Sequence, residues 1–365
     1  MMPEVPTCAL FLGDRSPYGL SIARALLAST LPLRRILTPS PTAWGRVLSR
    51  SSGAGRSDAL GPQELFRRAL ASTRRRIERL GAVEVPGGEE VPPLILDPGV
   101  TAQELEDTCR RIGIEWRQVD EIRSPTAVAS VRSGAGLLLS AAFPMIFPSA
   151  LLAAAPLGGV NFHPSLLPRC RGCHPIFWTL ASGETQGGVT AHYMTSEVDA
   201  GNVVAQMALP LSESDDYQSL YRRAMDSSAQ LVGMVEAFFV AGGGPGVPQD
   251  LARATYFHED TEDDHRVHWS GRSPREIVAL ARTGEAFTTV RGERLGILRA
   301  AEVHNVARER RHVPPGGVLA TNDDALVVEA SGGAVALRVL VWRGRSHPGG
   351  ELARALSLKR GEVIG

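Results

Sequence analysis

Along the amino-terminal half, short unbroken apolar runs alternate with segments of helical spacing. Cys8–Leu12 (CALFL) is such a run and stops at Gly13, the pattern of a buried strand entering a turn. Over 20–29, Leu20, Ala23, Leu26 and Leu27 share one helical face, and 33–37 reads as the next strand. Residues 39–61 are rich in Ser, Gly, Pro and Arg and read as a loop; 64–80 reads as a strongly basic helix with a solvated face. The alternation resumes with a strand at 94–96, a helix over Ala102–Ile112 capped by Thr101, and a strand over Glu115–Val119. The run AGLLLS (135–140) has the continuous apolar character of a strand inside a parallel sheet. A short helix over 148–155 and a strand over Gly159–His163 follow.

Strands alternating with helices predict an α/β, doubly wound, Rossmann-like and mostly parallel sheet. Such sheets bind ligands at the carboxyl ends of their strands. The first turn, GDRSPYG, is not G-x-G-x-x-G, so the pattern does not support a dinucleotide.

Further along, 188–193 and 203–206 read as strands around a loop at 195–201, and 212–240 reads as one helix. AGGGPGVPQD is a linker by its Gly and Pro content. The stretch PPGGVLATNDDALVVEASGGAVALRVLVW alternates like antiparallel strands with turns at Asn322 and Gly332. The expected organisation is a catalytic domain over 1–210, a helix and linker over 211–253, and a small OB-like β-barrel over 254–365.

Composition narrows the class. The chain has 365 residues, 21% charged and 43% hydrophobic, with zero formal net charge, the profile of a globular enzyme. Neutrality argues against an overall nucleic-acid binder, although Arg67, Arg68 and Arg74–Arg76 make a local basic segment. Lys359 is the only lysine. The start shows no secretory leader pattern, and no uncharged stretch is long enough to span a membrane. The expectation is a cytoplasmic chain with reduced thiols and no membrane partner.

That setting bears on Cys170-Arg171-Gly172-Cys173-His174. As a pattern this is C-x-x-C-H, the attachment motif of c-type haem, and with His163 it brings four candidate metal ligands together. Haem attachment belongs to exported proteins, and a second ligand pair for zinc is missing. Ordinary free thiols are the favoured reading, with neither haem nor metal expected. HEDTEDDHRVH also carries possible ligands, His258, Asp260, Asp263, Asp264, His265 and His268, and reads as an acidic, solvated boundary loop.

Asn161 and His163, two apart on a strand, point to the same face. Asp199 lies on a loop between two strands, where catalytic groups often sit. An amide donor, an imidazole and a carboxylate can converge there. In order along the chain, NFHPSLLP, RGCHP, GETQGGVTAHYM and DAGNV together resemble the folate-dependent formyltransferase family. The segment ATYFHEDTEDDHRVHWSGRSPREIVALAR resembles that family's junction into its carboxyl-terminal domain. The opening turn departs from the family pattern.

The resemblance implies that Asn161 and His163 donate to the formyl oxygen and that Asp199 helps take a proton from the attacking amine. It implies 10-formyltetrahydrofolate as donor, its pterin in a slot beside Ile146 and Phe147, with the backbone of Thr195, Ser196, Glu197 and Val198 as partners. The expected acceptor is the primary amine of a small molecule: an amino sugar, an aminoglycoside-like antibiotic or a peptide precursor. Formylation of methionyl-tRNA is the runner-up. Formimidoyl transfer and hydrolysis of the formyl donor are further alternatives. The apolar alternation of the last domain is compatible with a core face or with a homodimer face.

Overall fold

A computed structural model describes residues 6–13, 15–43, 88–90, 97–304 and 313–365. The expected strand at 94–96, the basic helix at 64–80 and most of the 39–61 loop lie outside the described residues.

The strands in chain order are β1 (Cys8–Leu12), β2 (Leu33–Pro39), β3 (Glu89–Glu90), β4 (Glu115–Val119), β5 (Leu137–Ala141), β6 (Gly159–His163), β7 (Arg171–Gly172), β8 (Gln186–Tyr193) and β9 (Val203–Pro210). Seven of these form one sheet in the order β4-β2-β1-β5-β6-β8-β9. It is parallel from β4 to β6 and antiparallel at β8 and β9. Its two faces are both covered, which explains the unbroken apolar runs. On β1, Cys8, Leu10 and Leu12 enter one core and Ala9 and Phe11 the other.

Helices over Pro17–Ala28 and Ala102–Ile112 begin at side-chain caps, Ser16 and Thr101. A helix over Pro125–Arg132, capped by Ser124, escaped the reading of the sequence. The expected helix at 148–155 is shorter, Ser149–Leu152. The expected single helix at 212–240 is instead two, Tyr217–Asp226 and Ser228–Val240, broken at Ser227. Residues before Tyr217 form a turn in which Asp215 accepts from Ser212 N–H and Asp216 caps the helix. At the break, Ser227 Oγ donates to the Arg223 carbonyl, and Ser228 pairs with Ser21. Such hydroxyl bonds compete with the helix ladder. Both helices pack into the sheet's core through Leu220, Ala224, Leu231 and Val235.

The remaining strands are β10 (Tyr256–Phe257), β11 (Phe287–Val290), β12 (Glu293–Val303), β13 (Val318–Thr321), β14 (Leu326–Ala330), β15 (Gly333–Trp342) and β16 (Arg345–Pro348). Strands β11 to β16 build an antiparallel half-barrel in the order β11-β12-β15-β14-β13, with β16 on β15 and β3 on β16, while β10 lies outside it. The turns at Asn322 and Gly332 fall between the strands expected to flank them.

One short helix, Pro175–Ala181, joins the two cores. Its Ile176 and Leu180, four apart, enter the core of the large sheet, while Phe177 and Ala181 enter that of the half-barrel. Parallel pairing of β7 with β10 adds a second link. Trp178 stacks on Phe257 with ring centroids 4.4 Å apart. No helix among the described residues is long and apolar enough to cross a membrane.

Candidate active site

Asn161 and His163 stand at the carboxyl end of β6 on one face, as their spacing requires. The antiparallel register of β8 sets His192 opposite Asn161 and Thr190 opposite His163. Cross-strand partners share a face, and Asn161 Nδ2 lies 3.3 Å from His192 Nε2. Both imidazoles are buried, His163 at 5% and His192 at 2% exposure.

Each imidazole has one nitrogen bonded to a main-chain carbonyl. His163 Nε2 donates to Cys170 O at 2.9 Å, and His192 Nδ1 donates to Tyr193 O at 2.9 Å. A carbonyl only accepts, so these nitrogens carry the protons of the neutral rings. The other nitrogens turn to Asp199: His163 Nδ1 is 3.6 Å from Oδ2 and His192 Nε2 is 3.3 Å from Oδ1. Two lone pairs and an anion therefore converge, an arrangement suited to taking up one proton from a bound reactant.

Asp199 is held there by local backbone chemistry. Its φ is +52°, in the left-handed region, and its Oδ2 accepts the Gly172 N–H at 2.8 Å. Two residues on, a Cβ at Gly201 would sit 1.8 Å from the Tyr193 carbonyl oxygen. A Cβ at Gly172, at φ +94°, would sit 2.1 Å from the Phe257 carbonyl oxygen. The glycines of D-A-G and R-G thus allow two backbones to close on the carboxylate.

Burial acts to raise the Asp199 carboxyl, but the charges of His163 and His192 in their protonated forms, the bond that protonated His192 makes and the Gly172 N–H outweigh it. The group is held well below the usual carboxylate range. Burial lowers His163 below the ordinary imidazole value, with the attraction of Asp199 only partly opposing it.

The expected pterin contacts lie on the segments that follow β5 and β8. Ile146 is 68% exposed. Phe147 is half-buried, its ring edge-on to Phe11 at 5.0 Å and tilted on Phe143 at 5.7 Å. Met194 joins this same cluster and leads into the exposed loop of Thr195, Ser196, Glu197 and Val198. In that loop Thr195 Oγ1 donates to Glu197 O. A surface cavity of about 770 Å³ lies beside the loop, lined by Tyr193, Thr195, Asn202, Phe239 and Gly244 among others. None of Asn161, His163, His192 and Asp199 lines it, so the candidate centre is marked by its converging polar groups and not by this cavity.

CRGCH is the joint between this centre and the half-barrel. Cys170 is buried, and burial pushes its thiol up to about 11. Cys173 is solvent-accessible; partial desolvation first, then the carboxylates of Glu259, Asp199 and Asp260, push its thiol up. His174 and His265 both pair with Asp260, and the His174 bond holds that ring's proton more tightly than usual. Among the described residues no three His, Cys, Asp or Glu side chains are grouped to hold a metal ion.

Two residues of this centre were not singled out from the sequence. His192 lay inside the motif GETQGGVTAHYM, where its alternation with Thr190 was the available signal. Gln249, in the linker, donates from Nε2 to the carbonyls of Asp199 at 2.8 Å and Gly201 at 2.7 Å; nothing local in the sequence marks it.

The formyl transferase family matches residues 103–237, and the formyl transferase carboxyl-terminal domain matches 261–351. Methionyl-tRNA formyltransferase of Bacillus velezensis is 28% identical over 295 residues, 79% of this chain and 90% of that protein. Its counterpart in Syntrophus aciditrophicus is 32% identical over 235 residues, 63% of this chain and 73% of that protein. The N-formyltransferase of Helicobacter canadensis, solved with folinic acid and dTDP-3-aminofucose, covers 92% of this chain and 99% of its own, with a TM-score of 0.54. At 10% identity that likeness is one of fold. With its two matched domains in order, and with relatives alike over most of their length, the chain belongs to the folate-dependent formyltransferase family.

Proposed function

We propose that this enzyme transfers the formyl group of 10-formyltetrahydrofolate to the primary amine of a small molecule. The observation that carries the chemistry is the convergence of His163 and His192 on the buried Asp199 carboxylate, with Asn161 beside them. In the reaction the amine nitrogen attacks the formyl carbon, a C–N bond forms, and negative charge develops on the formyl oxygen. The Asn161 amide is a donor for that oxygen, and an imidazole becomes a second once the cluster has taken up the proton of the attacking amine; one such donor is worth about 3 kcal/mol. The attacking amine gives up a proton to the Asp199 cluster. The tetrahedral adduct then breaks its bond to folate N10, which takes up a proton as it leaves. Ile146, Phe147 and the loop of Thr195, Ser196, Glu197 and Val198 border the place assigned to the pterin.

The charge at the domain joint supports an amine-bearing small molecule. The carboxylates of Glu259, Asp199 and Asp260 act together on Cys173, beside the Gly172 amide that holds Asp199. Asp260 is paired there with His174 and His265, which leaves Glu259 and Asp199 as the charge that would attract a cationic amine and repel a phosphate backbone. A second reading, formylation of methionyl-tRNA, is favoured by the names of the sequence relatives.

The test supplies 10-formyltetrahydrofolate with initiator methionyl-tRNA and, separately, with amino sugars, aminoglycoside-type amines and small peptides. We expect tetrahydrofolate release with a small amine, falling only modestly as salt rises, and little with tRNA. Several phosphate contacts would instead cost orders of magnitude between low and moderate salt. Rapid, salt-sensitive formylation of the tRNA with no turnover on small amines would establish the second reading.

A further inference from the structure

We propose that Gln249 is a positioning residue that, backed by Arg171, sets the catalytic placement of Asp199. It lies outside the sheet, on the linker that leads into the half-barrel. Its side-chain amide has two donors and two acceptor lone pairs, and all four are engaged. Nε2 donates to Asp199 O at 2.8 Å and to Gly201 O at 2.7 Å. Oε1 accepts from Arg171 Nε at 3.2 Å and from Nη2 at 2.7 Å. Arg171 itself is buried, at 8% exposure.

These bonds close a ring. The next residue after Arg171 is Gly172, whose N–H holds the Asp199 carboxylate. The dipeptide Arg171-Gly172 therefore grips Asp199 twice: the Gly172 N–H bonds the Asp199 carboxylate directly, and the Arg171 side chain reaches the Asp199 main-chain carbonyl through Gln249. The grip matters because Asp199 has a left-handed backbone, φ +52°, which costs an L-residue energy, though less for Asp than for most. The Gln249 bonds flank Asp199 and Gly201, the segment where the chain turns back toward β9. Strand pairing of β7 with β10, a few residues beyond Gln249, fixes the other end of the frame. The linker thus takes part in placing the carboxylate as well as in joining two domains.

The inference rests on Asp199 being the proton acceptor proposed above, and the test separates the two. Gln249→Leu removes all four bonds without adding charge. Gln249→Glu keeps acceptors for Arg171 but turns both donors into acceptors facing carbonyl oxygens. Melting temperature, kcat, KM for both substrates and the pH profile of kcat are measured for each, beside Asp199→Asn. We expect kcat to fall about a hundredfold in both, the scale of an ångström-sized misplacement, with either KM changed less than about threefold. The acid limb of the profile should move to higher pH, because a displaced carboxylate loses the Gly172 N–H and the imidazoles that hold its affinity for protons down. Wild-type kcat and profile in Gln249→Leu would overturn the proposal. So would a loss of kcat that tracks a loss of melting temperature in both variants, with an unmoved profile. Near-wild-type turnover in Asp199→Asn would remove the underlying base and the proposal with it, whereas an inactive Asp199→Asn beside normal Gln249 variants would remove the proposal alone.

Discussion

Asn161 and His192 face each other across β6 and β8 as register partners, with Nδ2 and Nε2 3.3 Å apart. The contact ties the amide proposed to bind the formyl oxygen to the imidazole that shares Asp199. His192 should therefore matter to turnover although the sequence motif did not single it out. His192→Gln, which keeps a polar side chain but loses the titratable ring, should lower kcat by about a hundredfold. Steady-state kinetics beside a melting curve would check this; unchanged kcat in a folded variant would assign His192 to the core alone.

Asn161→Ala and Asp199→Asn should each lower turnover by about a hundredfold or more, since both are proposed to act where charge develops in the transition state. Circular dichroism should show the native fold in each. Turnover near the wild-type level in either variant would take that residue out of the mechanism.

Gly201 and Gly233 should respond in opposite ways to alanine. A Cβ at Gly201 collides with the Tyr193 carbonyl oxygen, 1.8 Å away, whereas one at Gly233 meets nothing within 4 Å. Gly233 lies within the Ser228–Val240 helix. Gly233→Ala should raise stability by about 0.5–1 kcal/mol, and Gly201→Ala should lower both melting temperature and kcat. Denaturant melts of the two variants make the comparison; equal effects would mean that the loop relaxes around the added carbon.

Stability should fall on the acid side through His163. Its folded value is lowered by burial, so the folded chain prefers the neutral ring. That contribution is complete above the unfolded value near 6.5 and shrinks as pH falls from there toward the lowered folded value. Asp199 is depressed instead, so its contribution is complete above about 3.9 and is lost only as pH falls toward its folded value. Between about pH 7 and pH 5 the wild type should lose more melting temperature than His163→Asn, because asparagine does not titrate. Equal losses would assign the acid sensitivity to other groups.

Replacing Cys170 and Cys173 together by alanine should leave turnover largely unchanged. Cys170 is buried, so the double variant should lose about 1 kcal/mol of stability through packing. The purified wild-type protein should carry neither a haem absorption band nor stoichiometric zinc. One zinc per chain, lost in the double variant, would make the pair a metal site.

Local periodicity by itself determined much of this molecule. Period-two alternation put Asn161 and His163 on one face at the end of β6, and the apolar runs of β1 and β5 marked a sheet buried on both sides. Motif order along the chain pointed to the family. What local pattern could not settle was anything decided between distant residues. The apolar spacing of 212–240 suited one helix, and it was hydroxyl bonding at Ser227 and the Ser228–Ser21 contact that accompanied two. His192 became part of the centre through the register of β8 against β6, and a slip of one residue would have turned it to the other face. Gln249 reached Asp199 across fifty positions of chain because β7 and β10 pair and draw the linker against the loop. Such placements depend on which surfaces the packed cores leave adjacent, and spacing along a single segment carries no record of that.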